Sequence, residues 1–157
     1  MADKPFLVVE NQFKAPPAYV KAWLTDVRED DRKRWFGEEA PIKILEKRAG
    51  YTKYTQPNDM GMATIEVVSD ADDRWHAAMI VHKGERITMK GTVRESVRPG
   101  PIGTQHRAEL TMEPTSFFVR LMMPMMRGKV EKELKGAFGR MKTAMEEEAA
   151  AGKSPTA

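Results

Sequence analysis

One histidine interrupts an apolar alternation. Across residues 103–113 the even positions His106, Ala108, Leu110 and Met112 form the less polar set, while Gln105, Arg107, Glu109 and Thr111 suit solvent. A histidine among apolar neighbours can serve as acid, base or ligand anchor, because its charge changes near neutral pH. It can equally be a ring near a strand end that meets water or a backbone carbonyl. Asn11, in the set Leu7, Val9, Asn11 and Phe13, reads the same two ways: polar anchor or satisfied buried amide. Arg127 falls by a 100° per-residue count within a helical apolar stripe. There its guanidinium either meets an acidic ligand group or snorkels to water. Met122, Met123, Met125 and Met126 surround Pro124. Methionine adapts to varied apolar shapes, so this cluster reads as an adjustable lid or as ordinary core filling.

Other chemistries find no support. The chain has no cysteine, which excludes disulfides, thiol catalysis and cysteine-bound zinc. His76 and His82 share a strand face but stand about 20 Å apart along it, too far for one metal ion. No His-x-x-Glu-His cluster occurs. The run Asp70-Ala71-Asp72-Asp73 lacks the glycine and closing glutamate of a calcium loop and reads as a turn. Gly152-Lys153-Ser154 lacks the upstream glycine of a P-loop. No metal and no cofactor are therefore expected.

The charge balance is mild: Lys+Arg 26 against Asp+Glu 23, a net +3, which does not point to nucleic acid. The distribution is uneven. Between residues 116 and 145 stand seven basic residues (Arg120, Arg127, Lys129, Lys132, Lys135, Arg140, Lys142) against Glu131 and Glu133. Such a face can make transient contact with an anionic membrane during ligand transfer. It can also be a solvated face balanced by Glu146 to Glu148. Residues Met1 to Pro5 show no signal-peptide pattern, and no apolar stretch approaches the length of a membrane span. The expected setting is cytoplasmic.

These residues need elements to position them. At 157 residues the chain matches about one domain, expected over 1–151 with a flexible tail at 152–157. Residues 5–13 read as a strand. Pro16 and Pro17 then open a short helix with Tyr19, Val20, Trp23 and Leu24 on its apolar side. Asp26, with Glu29 three residues on, predicts the start of a second, solvated helix ending at Trp35-Phe36 and stopped by Gly37. Six runs follow that alternate like strands: 41–48, 51–56, 62–69, 74–82, 86–97 and 103–113. Short turns such as Ala49-Gly50, Pro57-Asn58-Asp59, Lys83-Gly84 and Pro99-Gly100-Pro101 separate them and predict an antiparallel meander. The inward sets are Ala63, Ile65 and Val67, and Ile87, Met89, Gly91 and Val93. In 74–82 either face can turn inward, and Trp75, Ala77, Met79 and Val81 are favoured over His76, Ala78, Ile80 and His82 because they carry no ionisable group.

Residues 116–149 read as one long helix. Val130, Leu134, Ala137, Phe138, Met141 and Met145 form a single stripe suited to a sheet. Pro124 is expected to kink or divide this helix. Gly128, Gly136 and Gly139, off the stripe, each cost about 1 kcal/mol relative to alanine. The N-terminal part is therefore expected to open and admit ligand. Seven strands with one face to bury, and one amphipathic helix, predict a sheet curved around the helix.

At this point the residues resemble a known superfamily. Ala15-Pro16-Pro17-Ala18-Tyr19-Val20 followed by Trp23-Leu24-Thr25-Asp26, then Arg34-Trp35-Phe36, Gly103-Thr104 and a closing helix with Pro124, resemble the START-related SRPBCC superfamily. More narrowly, they resemble its polyketide cyclase/dehydrase and lipid-transport group. The resemblance implies an α+β helix-grip fold with a hydrophobic cavity between sheet and C-terminal helix. It implies no particular reaction. The leading expectation is binding or carriage of a hydrophobic small molecule, lipid or polyketide-like. Candidate ligand contacts are Trp23, Trp75, Met79, Met89, His106, Leu110, Phe118, Met122, Met126 and Arg127. An aromatase/cyclase or dehydratase using His106 is the alternative, and a chaperone-related interaction module the third. Oligomeric state stays open.

Overall fold

The computed structural model describes residues 4–36 and 41–155. In chain order these form β1 (Leu7–Phe13), α1 (Pro17–Thr25), α2 (Asp31–Phe36), β2 (Lys43–Arg48), β3 (Tyr51–Asn58), β4 (Gly61–Ala71), β5 (Arg74–Lys83), β6 (Arg86–Gly100), β7 (Gly103–Glu113) and α3 (Phe117–Ala150). The seven strands make one antiparallel sheet in the order β1-β7-β6-β5-β4-β3-β2. β2 to β7 are a meander, and β1 joins at its far edge beside β7. This is the helix-grip arrangement: a curved antiparallel sheet, two short helices after its first strand, and one long closing helix.

Alternation sets the faces. Ala63, Ile65, Val67, Trp75, Val81, Val97, Ala108 and Leu110 are buried on the concave side, as are Leu7, Val9 and Phe13 of β1. Ile87 departs from the expected set and is 37% exposed. A bulge shifts the β5–β6 register between Val81 and His82, which turns the start of β6 outward. Pro57 and Asn58 belong to β3 rather than to a turn, paired with Met62 and Gly61. The Pro99-Gly100 pair likewise extends β6, against Thr104 and Gly103.

Packing forms two clusters. One gathers Phe13, Val20, Trp23, Val27, Trp35, Ile42, Tyr54, Trp75 and Met145; the other gathers Leu7, Val9, Ala108, Leu110, Met112 and Phe138. Half-buried Met89 and Met141 border both. Each fully buried large apolar side chain contributes about 1.5–3 kcal/mol.

Gly103 anchors the turn into β7. Its φ is +145°, and a Cβ there would stand 2.7 Å from the Phe13 carbonyl oxygen. Only glycine lets the two chains approach so closely. Thr104 then donates its hydroxyl to the Ala15 carbonyl at 2.6 Å.

The short helices differ from expectation. Asp26 does not begin α2; it caps the C-terminus of α1 and is 3% exposed. Lys47 Nζ bonds its carboxylate at 2.9 Å. Asp31 opens α2 instead, its side chain accepting the Arg28 backbone N–H at 2.7 Å. Nor is α2 solvated throughout: Asp31, Arg32 and Trp35 are all buried. Tertiary contact with α3 outweighs the charge of the segment. Gly37, the expected stop, lies outside the described residues.

α3 is continuous through Pro124, which divides nothing. The proline leaves the Arg120 carbonyl without its helical partner, and both residues are exposed, so water can satisfy it. The Ser116 hydroxyl caps the helix by accepting from Val119 N–H at 3.2 Å. Glu146 and Glu148 do more than balance charge. Glu146 accepts from the Lys14 backbone N–H at 3.1 Å. Glu148 accepts from Trp23 Nε1 and stands 3.4 Å from the Arg28 guanidinium, tying α3 to the α1–α2 region.

Candidate functional site

The most organised polar group on the concave face centres on His106. Its position on β7 is opposite Asn11 on β1, and Asn11 Nδ2 lies 3.1 Å from His106 Nδ1. The amide donates, so Nδ1 accepts and the ring proton sits on Nε2. Nε2 in turn donates to Glu95 Oε1 at 2.9 Å. The other carboxylate oxygen of Glu95 accepts from Trp75 Nε1 at 2.8 Å. Asn11, His106, Glu95 and Trp75 thus form one chain of hydrogen bonds across β1, β7, β6 and β5.

Rings close around the histidine. Phe13, Trp75 and Phe138 stand 5.6, 6.0 and 5.0 Å from it, centroid to centroid. His106 is 0% exposed, so the protein's own side chains fill the space a ligand would need to touch it. The Glu95 side chain retains 12% exposure. Glu95 and half-buried Asn11 are the two members of the network that are not fully enclosed. Sequence reasoning passed over Glu95, although the signal was there: Glu95 continues the inward parity of Met89, Gly91 and Val93.

A second polar group lies on β3. Thr52, Tyr54 and Gln56 alternate inward and are all buried. Among the described residues, neither Gln56 Oε1 nor Trp35 Nε1 on α2 has a hydrogen-bond partner. Burial, reinforced by the Asp31 and Glu95 carboxylates and opposed by Arg32, pushes the Tyr54 phenol well above its ordinary pKa. Its hydroxyl stays protonated and available as a donor.

Between these groups runs an incompletely covered apolar stretch. Ala77, Met79, Met89 and Val93 on the sheet are only partly buried, as are Val130, Leu134 and Met141 on the inward stripe of α3.

The structure brings some expected site residues together and not others. Trp75, Met79, Met89, His106 and Leu110 share the concave face, and Trp23 of α1 is buried in the first cluster. Met122 and Met126 are half-buried on α3. Phe118 does not face inward; it is 68% exposed. Its segment, Phe117 to Met126, is apolar nearly all round, so periodicity alone could not orient it. Arg127 is exposed, and its Nε donates to the Phe6 carbonyl at 3.1 Å, linking α3 to the start of β1. Among the described residues no group of three or more His, Asp or Glu side chains is placed to hold a metal ion.

The outer face of the sheet carries a groove of about 610 Å³, lined by Asp70, Arg74, His76, Arg94 and Arg107 and reaching Trp75 and Glu95 of the network. His76 Nδ1 contacts Asp70 there at 2.8 Å. A shallower depression of about 530 Å³ follows Gly136, Gly139 and Arg140 on the exposed side of α3. No helix is long and apolar enough to cross a membrane, among the described residues.

No family model and no curated protein matches the sequence. Solved structures do match. The di-domain ARO/CYC StfQ from the steffimycin biosynthetic pathway superposes with TM-score 0.64 at 15% identity, over 93% of this chain and 53% of that one. TTHA0849 from Thermus thermophilus gives TM-score 0.62 at 17% identity, over 94% and 99% of the two chains. Ara h 8.0201 gives TM-score 0.59 at 14% identity, over 88% and 95%. At such identities the likeness carries the helix-grip fold and not the chemistry.

Proposed function

We propose that the chain binds a hydrophobic small molecule, lipid or polyketide-like, between the concave sheet face and α3. The observation that carries this reading is the partly uncovered apolar stretch Met79, Met89 and Val93 opposite Leu134 and Met141. Covering such surface with ligand contributes ~25 cal/mol per Å², enough for reversible binding without covalent chemistry. The buried polar atoms Gln56 Oε1 and Trp35 Nε1, and the exposed edge of Glu95, favour a ligand with hydroxyl or carbonyl groups on an apolar frame. A bound group that pairs them removes the cost of leaving them unmet. The fold shared with an ARO/CYC protein adds support for this ligand class.

The test is a titration with the fluorescent probe 1-anilinonaphthalene-8-sulfonate, then displacement by panels of fatty acids, sterols and polyphenols. Met89→Trp fills the stretch and should weaken probe binding at least tenfold without unfolding the protein. Absence of binding by the probe and by every panel member overturns the reading.

One observation favours a second reading. The His106–Glu95 pair resembles a base and its orienting carboxylate, as a cyclase, aromatase or dehydratase acting on a polyketide-like substrate would need. His106 is sealed by aromatic rings, so proton transfer to substrate would pass through Glu95. His106→Gln keeps hydrogen-bonding capacity but cannot titrate. Turnover lost with probe affinity intact favours the enzyme; unchanged turnover removes it.

A further inference from the structure

The outward face of α3 holds an apolar patch that none of the described residues covers. Phe117 is 80% exposed, Phe118 68%, Leu121 63% and Met125 75%. On a helical wheel these four span about 100°, opposite the inward stripe of Val130, Leu134, Ala137, Phe138 and Met141. The same outward arc continues with Gly128, Lys129, Lys132, Lys135 and Gly136. Two turns of bulky apolar side chains are thus followed by a lysine row, with glycines between. The patch has a neighbour. Thr115 donates its hydroxyl to the Thr88 carbonyl at 3.1 Å, which places the exposed Arg86 and Ile87 at the start of β6 beside the start of α3.

We infer that this face docks on an anionic lipid surface. Aromatic and long apolar side chains at one end of a helix enter the acyl boundary, and lysines along the same face meet lipid phosphates. Charge decides against a second copy of the chain. Side-by-side parallel helices would set lysine row against lysine row, and antiparallel ones would bury apolar residues against lysine heads. An anionic bilayer satisfies both halves of the face at once. Lys129 and Lys135 pair with Glu133 and Glu131 at 4.0 and 2.8 Å. These pairs are exposed and hold weakly, so the ammonium groups are free to turn to phosphate. Lys132 is exposed between them.

The experiment is co-sedimentation of the full chain with vesicles of phosphatidylcholine containing one-third phosphatidylglycerol, and with phosphatidylcholine alone. Binding to the anionic vesicles is expected, falling at least tenfold on pure phosphatidylcholine and in molar salt. Phe118→Asp with Leu121→Asp should lower it at least tenfold, and Lys129→Glu with Lys132→Glu about as much. All four sites are exposed, so the fold should survive, which circular dichroism checks. No sedimentation with anionic vesicles, or binding unaffected by both double variants, overturns the inference. A concentration-dependent dimer abolished by the same substitutions would assign the face to a second copy and also overturn it.

Discussion

Asn11 and His106 face each other directly across the β1–β7 ladder, 3.1 Å apart through their side chains. The pairing fixes which ring nitrogen carries the proton, since an amide N–H on Nδ1 leaves Nε2 as the donor to Glu95. The ring is thereby held in one orientation inside an aromatic shell. The network organises the sheet as well as serving the proposed site.

Replacing His106 tests that structural role. His106→Ala should cost about 3 kcal/mol, because it opens a cavity among Phe13, Trp75 and Phe138 and strips Asn11 and Glu95 of partners. His106→Gln, which can both accept and donate, should cost clearly less. Urea unfolding measures both; equal, small losses would show that the network contributes little.

Stability should fall at alkaline pH through Tyr54. Burial and nearby carboxylates raise its folded pKa above the ordinary 10.0. Above that pH the unfolded chain releases a proton that the folded protein retains, so the unfolded state gains and stability declines as pH rises. Below it the contribution is fully present. Tyr54→Phe should therefore flatten the loss of unfolding midpoint above about pH 10. An unchanged slope would place the titration elsewhere.

Gly103→Ala should destabilise by about 2 kcal/mol or more, from a strained positive φ and from Cβ contact with the Phe13 and Ala15 carbonyls. Thermal unfolding reads the loss. Gly128→Ala, where a Cβ meets nothing within 4 Å, is the control and should stabilise slightly.

Arg127 bears on opening of the N-terminal half of α3. Its bond to the Phe6 carbonyl is a tie from this half of the helix to the sheet edge. Arg127→Ala should speed amide exchange over residues 117–127 several-fold and cost about 0.5–1 kcal/mol. Exchange in the unaltered protein should already be faster there than in β5 to β7. Rates equal to those strands would show that this segment does not open on its own.

The element order and most strand faces were legible in the sequence, because a period of two fixes which side chains share a face until a bulge such as the one that turns Ile87 outward. The inward stripe of α3 over Val130 to Met145 was legible for the same reason, at the helical period. Tertiary structure decided the rest. Glu95 meets His106 and Trp75 only because β5, β6 and β7 are neighbours in register, a relation carried by no local pattern. Asp26, by local spacing a helix start, is claimed by Lys47 from β2 as a buried partner. Phe118 faces water because its segment is apolar on every side, and which side is covered depends on where the helix meets the sheet. Local sequence sets periodicity; burial is a property of the assembled surfaces, and these residues take their roles from burial.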